Sequence, residues 1–98
     1  MIKREDFMFT VGYEASVAIV DVRARKRFGK LSVDKLLDLG QYKAAFAGAL
    51  YDGSDEALER IRESYNAAHG TSYGTTGEMK RLFGVDRVRE DVDRTKAL

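Results

Sequence analysis

The residues best placed for chemistry are the basic ones in the stretch Val17–Phe28. Apolar and basic side chains alternate there, which predicts a β-strand with Arg23, Arg25 and Arg27 on one face. Side chains two residues apart on a strand stand about 6.6–6.8 Å apart, a spacing that suits an extended anionic chain such as single-stranded nucleic acid. The candidate partner or nucleic-acid surface therefore comprises Arg23, Arg25, Lys26, Arg27 and Lys30.

The charges around this cluster leave a second interpretation open. Residues 1–31 carry seven basic and four acidic groups, a local charge of +3 in a chain whose net charge is +1. Nucleic-acid-binding domains usually show a much stronger basic patch. Glu5, Asp6 and Asp21 are close enough to neutralise part of the cluster, and no large aromatic side chain shares its face. The alternative is a solvated strand face whose charges prevent edge-to-edge aggregation.

Two small residues predict a close contact on the helix that begins after Gln41. Ala44 and Gly48 lie one turn apart and leave one side of that helix nearly flat. Another backbone can approach closely where side chains are this small. We therefore predict a helix-packing or self-association face at Ala44 and Gly48, with a homo-dimer as one outcome.

The remaining titratable residues favour structural roles over catalysis. His69 is the only histidine and lies at a predicted helix end, where a cation interacts favourably with the helix dipole. Glu59 and Glu63 are one turn apart, but Arg60 and Arg62 lie between them, which is typical of a salt-bridged surface. Cysteine is absent, so thiol nucleophiles and thiolate metal ligands are excluded. We predict no catalytic residue, no metal site and no cofactor.

The glycine-rich segment 70–77 superficially resembles a phosphate-binding loop in front of a helix. In nucleotide-binding loops of that type a strand comes first, whereas here a helix is predicted before the loop. Glu78 would also place a carboxylate at the start of the next helix, in a capping box with Thr75. The segment is therefore predicted to be a linker followed by a helix cap.

Length and composition indicate one small domain. The chain has 98 residues, of which 44% are apolar and 34% charged, so one core with a strongly charged surface is expected. Residues 1–84 are predicted to form a single globular domain, and residues 85–98 a tail that is either a docked amphipathic helix or a frayed end. The longest apolar run, Ala44–Leu50, is too short to cross a membrane, and no signal-peptide pattern is recognised. A soluble, cytoplasmic protein is expected.

An antiparallel hairpin is predicted at the N-terminus. Large apolar side chains alternate through Phe7–Tyr13, and the second strand is predicted within Val17–Phe28. Two registers remain open, which place Asp6 opposite either Arg23 or Arg25. The two registers differ by two residues, so both bury the same side of the hairpin. A slip of one residue would instead turn every side chain to the opposite face. That buried side comprises Phe7, Phe9, Val11, Val20 and Val22.

Helices follow the hairpin and are marked by capping residues. Ser32, Ser54 and Thr75 are predicted N-caps, and Gly40 and Gly84 are predicted stops. An isolated hairpin is marginally stable in water, so the helices must cover it. The predicted fold is therefore α+β, an N-terminal antiparallel β-hairpin packed against a layer of three to four short α-helices. The helical side of the core is predicted to contain Leu36, Leu37, Phe46, Leu50, Leu58, Ile61, Tyr65, Leu82 and Phe83.

The segment Leu39–Ala45 resembles the turn between the two helices of a tetratricopeptide repeat. In that family a glycine, an aromatic residue two positions later and an alanine three beyond it pack a helical hairpin; here these are Gly40, Tyr42 and Ala45. The resemblance covers seven of 98 residues, and no second copy of the motif follows. It implies that the helices on either side of Gly40 pack against each other.

Together these observations favour a non-catalytic protein–protein interaction module that binds an unidentified protein partner. Self-association through Ala44 and Gly48 is one form of that hypothesis. The alternative is RNA or other single-stranded nucleic-acid binding through the basic strand face.

Overall fold

The computed structural model describes residues 1–98 and contains six helices and one three-stranded sheet. The helices are α1 Arg4–Met8, α2 Val22–Phe28, α3 Val33–Asp38, α4 Tyr42–Asp52, α5 Asp55–His69 and α6 Thr76–Phe83, and the strands are β1 Thr10–Glu14, β2 Val17–Val20 and β3 Arg94–Ala97. The chain is an α+β protein in which the N-terminal β1–β2 hairpin packs against helices. The predicted fold class is confirmed.

β1 and β2 form the predicted antiparallel hairpin. Glu14 pairs with Val17 next to the turn, and the register shifts by one residue between Thr10 and Gly12. Val11 is left unpaired in this β-bulge and is 51% exposed. Its predicted burial is wrong, because a bulge interrupts the alternation of side chains between the two faces of a strand.

The first strand begins later than predicted, because Arg4–Met8 forms helix α1. Phe7 and Phe9 are buried as expected, but they lie in this helix and at its C-cap instead of in a strand. The Thr10 hydroxyl donates a hydrogen bond to the Asp6 carbonyl oxygen at 2.6 Å. That bond satisfies one of the carbonyl groups that the end of a short helix leaves without a main-chain partner.

The predicted second strand ends at Val20, and residues 22–28 form helix α2 instead. The Asp21 carboxylate caps this helix by accepting a hydrogen bond from the Ala24 amide at 3.1 Å. Alanine, arginine and lysine make up most of the segment and are strong helix formers. Ala24 and Phe28, one helical turn apart, pack against the core. The strand prediction for this segment is therefore wrong.

Residues 85–98, predicted as a docked helix or a frayed end, add a third strand to the sheet. β3 pairs in parallel with β2, so the strand order is β1-β2-β3 and both β1 and β3 are edge strands. The Leu98 amide donates to the Val20 carbonyl at 2.9 Å, and Val92 is buried in the core. Both predicted states of the tail are wrong. All four residues of β3 are exposed, so no apolar pattern marks the strand in the sequence.

The helix boundaries after the hairpin are confirmed where a cap defines them. The hydroxyls of Ser32, Ser54 and Thr75 accept hydrogen bonds from first-turn amides of α3, α5 and α6. Gly40 and Gly84 follow their helices with positive φ angles of 73° and 68°. α3 and α4 pack against each other, as the resemblance to a tetratricopeptide turn implies.

Helix α4 lies at the centre of the helical layer, in contact with α1, α3 and α5. Residues 44–49 of this helix are all buried, and Phe46 is the largest of the fully buried side chains. Leu36, Ile61 and Met79 reach the same core from three neighbouring helices.

The predicted helical side of the core is confirmed at most positions. Its buried residues are Leu36, Phe46, Leu58 and Ile61, and its half-buried residues are Leu37, Leu50, Tyr65 and Phe83. Leu82 is the exception at 39% exposed, because Met79 and Phe83 form the side of α6 that packs inward. None of the six helices combines the length and the apolar character needed to cross a bilayer.

Candidate binding surfaces

The basic cluster, which the sequence predicts on a strand, lies on helix α2 and just beyond its end. The helical geometry separates Arg25 from the other four residues of the cluster. Arg25 turns toward α1, where its guanidinium forms an ion pair with the Asp6 carboxylate. This is the residue pair of one of the two predicted hairpin registers, but here the two side chains meet between two helices. Arg25 is therefore removed from the candidate surface, because its charge is neutralised within the domain.

The other four basic residues share one side of α2. Arg23, Lys26, Arg27 and Lys30 follow the spacing i, i+3, i+4, i+7, which places them on a single helix face. Gly29 keeps helical angles (φ −64°, ψ −22°), so Lys30 continues that face past the end of the helix. All four are exposed, and none forms an ion pair. These four residues are called the basic face of α2.

The small-residue side of α4 is covered by the N-terminus of the same chain. Ala44 and Gly48 are buried, and a Cβ atom placed on Gly48 would lie 3.0 Å from Arg4 Nη2 and 3.5 Å from Met8 Sδ. Arg4 extends across α4 to Asp52, with Nε 2.9 Å from Oδ1. Of the two predicted roles for Ala44 and Gly48, the structure has helix packing, because α1 occupies this side of α4. Self-association through the same side is corrected, because a second chain has no access to it.

Two adjoining cavities lie beside β1. One, of about 250 Å³, is bounded by β1 and by the segment that follows α6; the other, of about 190 Å³, is bounded by β1, α2 and the start of α4. Thr10, Val11 and Lys43 line both cavities, so the two adjoin at these residues and are together called the β1 groove. The consecutive residues Thr10–Tyr13 all line it. Since side chains alternate between the two faces of a strand, the groove follows the outer edge of β1.

Val11 and Lys43 stand where the two cavities join. The bulge leaves the Val11 side chain about half exposed between apolar neighbours such as Phe7 and Val85. Lys43 is exposed, and Arg87 lies in the wall formed by the segment after α6. Neither Lys43 nor Arg87 forms an ion pair. The groove therefore joins an exposed apolar centre to two cations that form no ion pair, of which Arg87 also helps to lower the pKa of the Asp91 carboxyl.

Arg89 also lines the groove, but its charge is already engaged. Its Nε donates to Asp91 Oδ1 at 3.0 Å, and its Cζ lies 4.4 Å from the centroid of the Tyr13 ring. The hydrogen bond to Asp91 raises the pKa of the Arg89 guanidinium, and the same bond lowers the pKa of the Asp91 carboxyl, so each group stabilises the charged form of the other. Burial raises the pKa of the Tyr13 hydroxyl.

The other sequence candidates have partners inside the domain. The His69 ring lies 4.3 Å from the Tyr65 ring, and Glu59 accepts hydrogen bonds from Arg62. Segment 70–77 is fixed by Asn66, whose Oδ1 accepts from the Tyr73 amide at 3.0 Å and whose Nδ2 donates to the Tyr73 carbonyl at 2.9 Å. No group of three or more histidine, aspartate or glutamate side chains converges to hold a metal ion.

Sequence reasoning did not identify Val11, Lys43 and Arg87 as parts of one surface. Gly12 was a usable local signal, because an isolated glycine in a strand pattern often marks a bulge. Lys43 and Arg87 carry no such signal, since only the packing of α4 and the segment after α6 places them beside the same strand.

Comparisons with protein-family models, with curated proteins and with solved structures found no match for this chain.

Proposed function

We propose that this chain is a non-catalytic protein-interaction module whose β1 groove binds an extended, acidic segment of another protein. The proposal rests on the exposure of Val11. A β-bulge exposes this side chain where the two cavities adjoin, and Lys43, which forms no ion pair, lines the same place. Protein interfaces commonly have an apolar centre surrounded by a polar rim, and Val11 with Lys43 beside it fits that arrangement.

The shape of the groove suits an extended chain. It runs beside four consecutive residues of β1, a length of about 13 Å at the usual rise of a strand. β1 pairs with β2 on one side only, so its outer edge has no strand partner. An extended peptide can pair with the main chain of such an edge while its alternate side chains enter neighbouring pockets.

The charges of the groove favour an acidic partner. Lys43 and Arg87 have no carboxylate partner, whereas Arg89 is paired with Asp91. Across both cavities the lining has three cations, Lys43, Arg87 and Arg89, and two carboxylates, Asp86 and Asp21, of which Asp21 caps α2. Complementary charge steers a partner to the surface and fixes its register, so we expect aspartate or glutamate opposite Lys43 and Arg87.

The polar groups of the groove support binding over catalysis. The Thr10 hydroxyl donates to the Asp6 carbonyl, and the Asp21 carboxylate caps α2. Both are engaged in holding the fold, and no nucleophile lies beside a base among the groove residues. We place this module in the cytoplasm, in keeping with a chain that contains no cysteine.

The test is a selection of random nine-residue peptides on the immobilised full chain, followed by fluorescence anisotropy with the selected peptides. We expect enrichment of sequences in which acidic and apolar residues alternate. The double substitution Lys43→Glu and Arg87→Glu should weaken binding about tenfold or more, because it places like charges opposite each other. Val11→Asp should weaken binding in the same way without unfolding the protein, since Val11 is exposed.

The matched control is Lys35→Glu with Arg81→Glu, which changes the net charge equally. Both residues are exposed, lie outside the groove and form no ion pair. Binding that falls equally in the control and in the groove variants would refute the groove as the site. A selection that returns no excess of acidic residues would refute the acidic partner.

A further inference from the structure

We infer that the basic face of α2 binds the phosphodiester backbone of a nucleic acid. This site is separate from the β1 groove and does not depend on the partner proposed there. Its four cations lie within residues 23–30, seven steps along the helix direction or about 10.5 Å at the usual rise per residue. One strand of a duplex carries a phosphate about every 3.4 Å, so a face of this length extends along about three of them.

The acidic groups nearest in sequence do not neutralise this face. The Asp6 carboxylate is paired with Arg25, and the Asp21 carboxylate accepts the hydrogen bond from the Ala24 amide that caps the helix. Of the eight arginines outside this face, six form ion pairs, for example Arg4 with Asp52, and Arg81 and Arg87 do not. None of the four residues of the basic face forms an ion pair, and Glu5 is an unpaired carboxylate that lines one depression with Lys30.

The positive surface continues past the C-terminal end of α2. An open depression of about 640 Å³ adjoins Lys30 and has no hydrophobic residue in its lining. Four basic and two acidic side chains line it; Arg4 is paired with Asp52 and Arg25 with Asp6, which leaves Lys3 and Lys30 against Glu5. A phosphate backbone that lies on α2 can therefore continue toward Lys3 without crossing an apolar surface.

A nucleic acid fits this face better than a membrane or a protein does. A helix that lies in a bilayer surface must bury its apolar side in lipid, but Ala24 and Phe28 pack against the core of the domain. The centre of a protein interface is depleted of charged residues, whereas here the whole face is charged. Lysine and arginine on a convex helix contact phosphates independently of base sequence, so we expect binding without sequence specificity.

The experiment is a titration of labelled 20-nucleotide probes with the full chain, followed by fluorescence anisotropy from 20 to 200 mM salt. Duplex DNA, duplex RNA and single-stranded probes identify the source of the phosphates. If all four cations contact duplex phosphates, log K should fall with log salt with a slope of about −3 to −4, and affinity should fall about a hundredfold between 50 and 200 mM.

The decisive variant is Lys26→Gln with Arg27→Gln, which keeps good helix formers in place. It should reduce the slope by about two units, one for each phosphate that the variant no longer neutralises. The matched control, Lys35→Gln with Arg81→Gln, should leave the slope unchanged. Circular dichroism should show that both variants remain folded.

Three results would overturn the inference. The first is no anisotropy change with any probe at 20 mM salt, and the second is the same loss of affinity in the control as in the α2 variant. The third is displacement of the nucleic acid by polyglutamate at equal charge concentration. The last result would identify an acidic protein as the ligand of this face. Loss of peptide binding in the groove variants would leave this inference unaffected, because those variants do not alter α2.

Discussion

Helices α2 and α4 both consist largely of strong helix formers, yet the fold uses them in opposite ways. α4 buries six consecutive residues and contacts three other helices, whereas α2 has no fully buried residue and contacts the domain through half-buried residues such as Ala24 and Phe28. The small side chains of α4 allow close packing on every side. The long charged side chains on the outer face of α2 are exposed, and the Arg27 guanidinium lies 5.0 Å from the centroid of the Phe28 ring.

This difference separates stability from binding within one small domain. Substitutions in α4 should change the free energy of unfolding of the whole domain, because α4 joins the hairpin side to the other helices. Substitutions in α2 should act locally, because little of the core depends on it. The following predictions test that separation, beginning with the largest expected effect.

Phe46→Ala should lower the free energy of unfolding by about 3–5 kcal/mol. Phe46 is fully buried, so the substitution leaves a cavity that the close-packed helices around it cannot fill. Denaturation by guanidinium chloride, followed by circular dichroism, measures the loss. Val11→Ala is the control and should change stability by no more than about 0.5 kcal/mol, since Val11 is exposed. Equal effects of the two substitutions would contradict the central role of α4.

Gly48→Leu should lower the free energy of unfolding by about 1–3 kcal/mol, because an added side chain must displace α1. A single Cβ atom at this position already lies 3.0 Å from Arg4 Nη2 and 3.5 Å from Met8 Sδ. Thermal and chemical denaturation measure the effect.

Gly48→Ala is the matched control for that substitution. The end of the flexible Arg4 side chain can move by the small distance needed, and alanine is the better helix former by about 1 kcal/mol. Gly48→Ala should therefore be nearly neutral. If leucine were tolerated as well as alanine, α1 would not be held against α4 as the structure shows.

Asp21→Ala should cost about 1 kcal/mol, because it removes the side chain that caps α2. The loss should stay local. Hydrogen exchange followed by NMR should show faster exchange of the amides of α2 and unchanged exchange in α4. Asp21→Asn should largely restore protection, since asparagine is an equally good cap. Equal loss of protection in both helices would show that α2 and α4 unfold together and would remove the distinction between them.

The local features of the fold could be predicted from the sequence, because each depends on neighbouring residues. A hydroxyl at Ser32, Ser54 or Thr75 reaches an amide three residues along the chain, whatever the rest of the protein does. A glycine such as Gly40 ends a helix because it adopts a positive φ angle at little cost. From these signals the boundaries of most helices in the helical layer are predicted correctly.

Residues 22–28 show where local signals become ambiguous. The alternation of Val20, Val22 and Ala24 fits a strand, while Asp21 at the front of the segment fits a helix cap. The segment forms a helix because the side that carries Ala24 and Phe28 then packs against the core, while the charged residues stay in water. β3 is the opposite case, since its residues carry no apolar pattern and form a strand because the edge of β2 was available.

The sequence by itself determined the α+β class, the capped helix boundaries and most of the buried residues, because those depend on contacts within a turn or on the burial of apolar side chains. Only the tertiary structure decided which charges remain uncompensated. Arg25 is neutralised and Lys26 is not, because one side chain turns toward Asp6 and the other away from it. The β1 groove likewise exists only because folding places Lys43 and Arg87, distant in the chain, beside the same bulge.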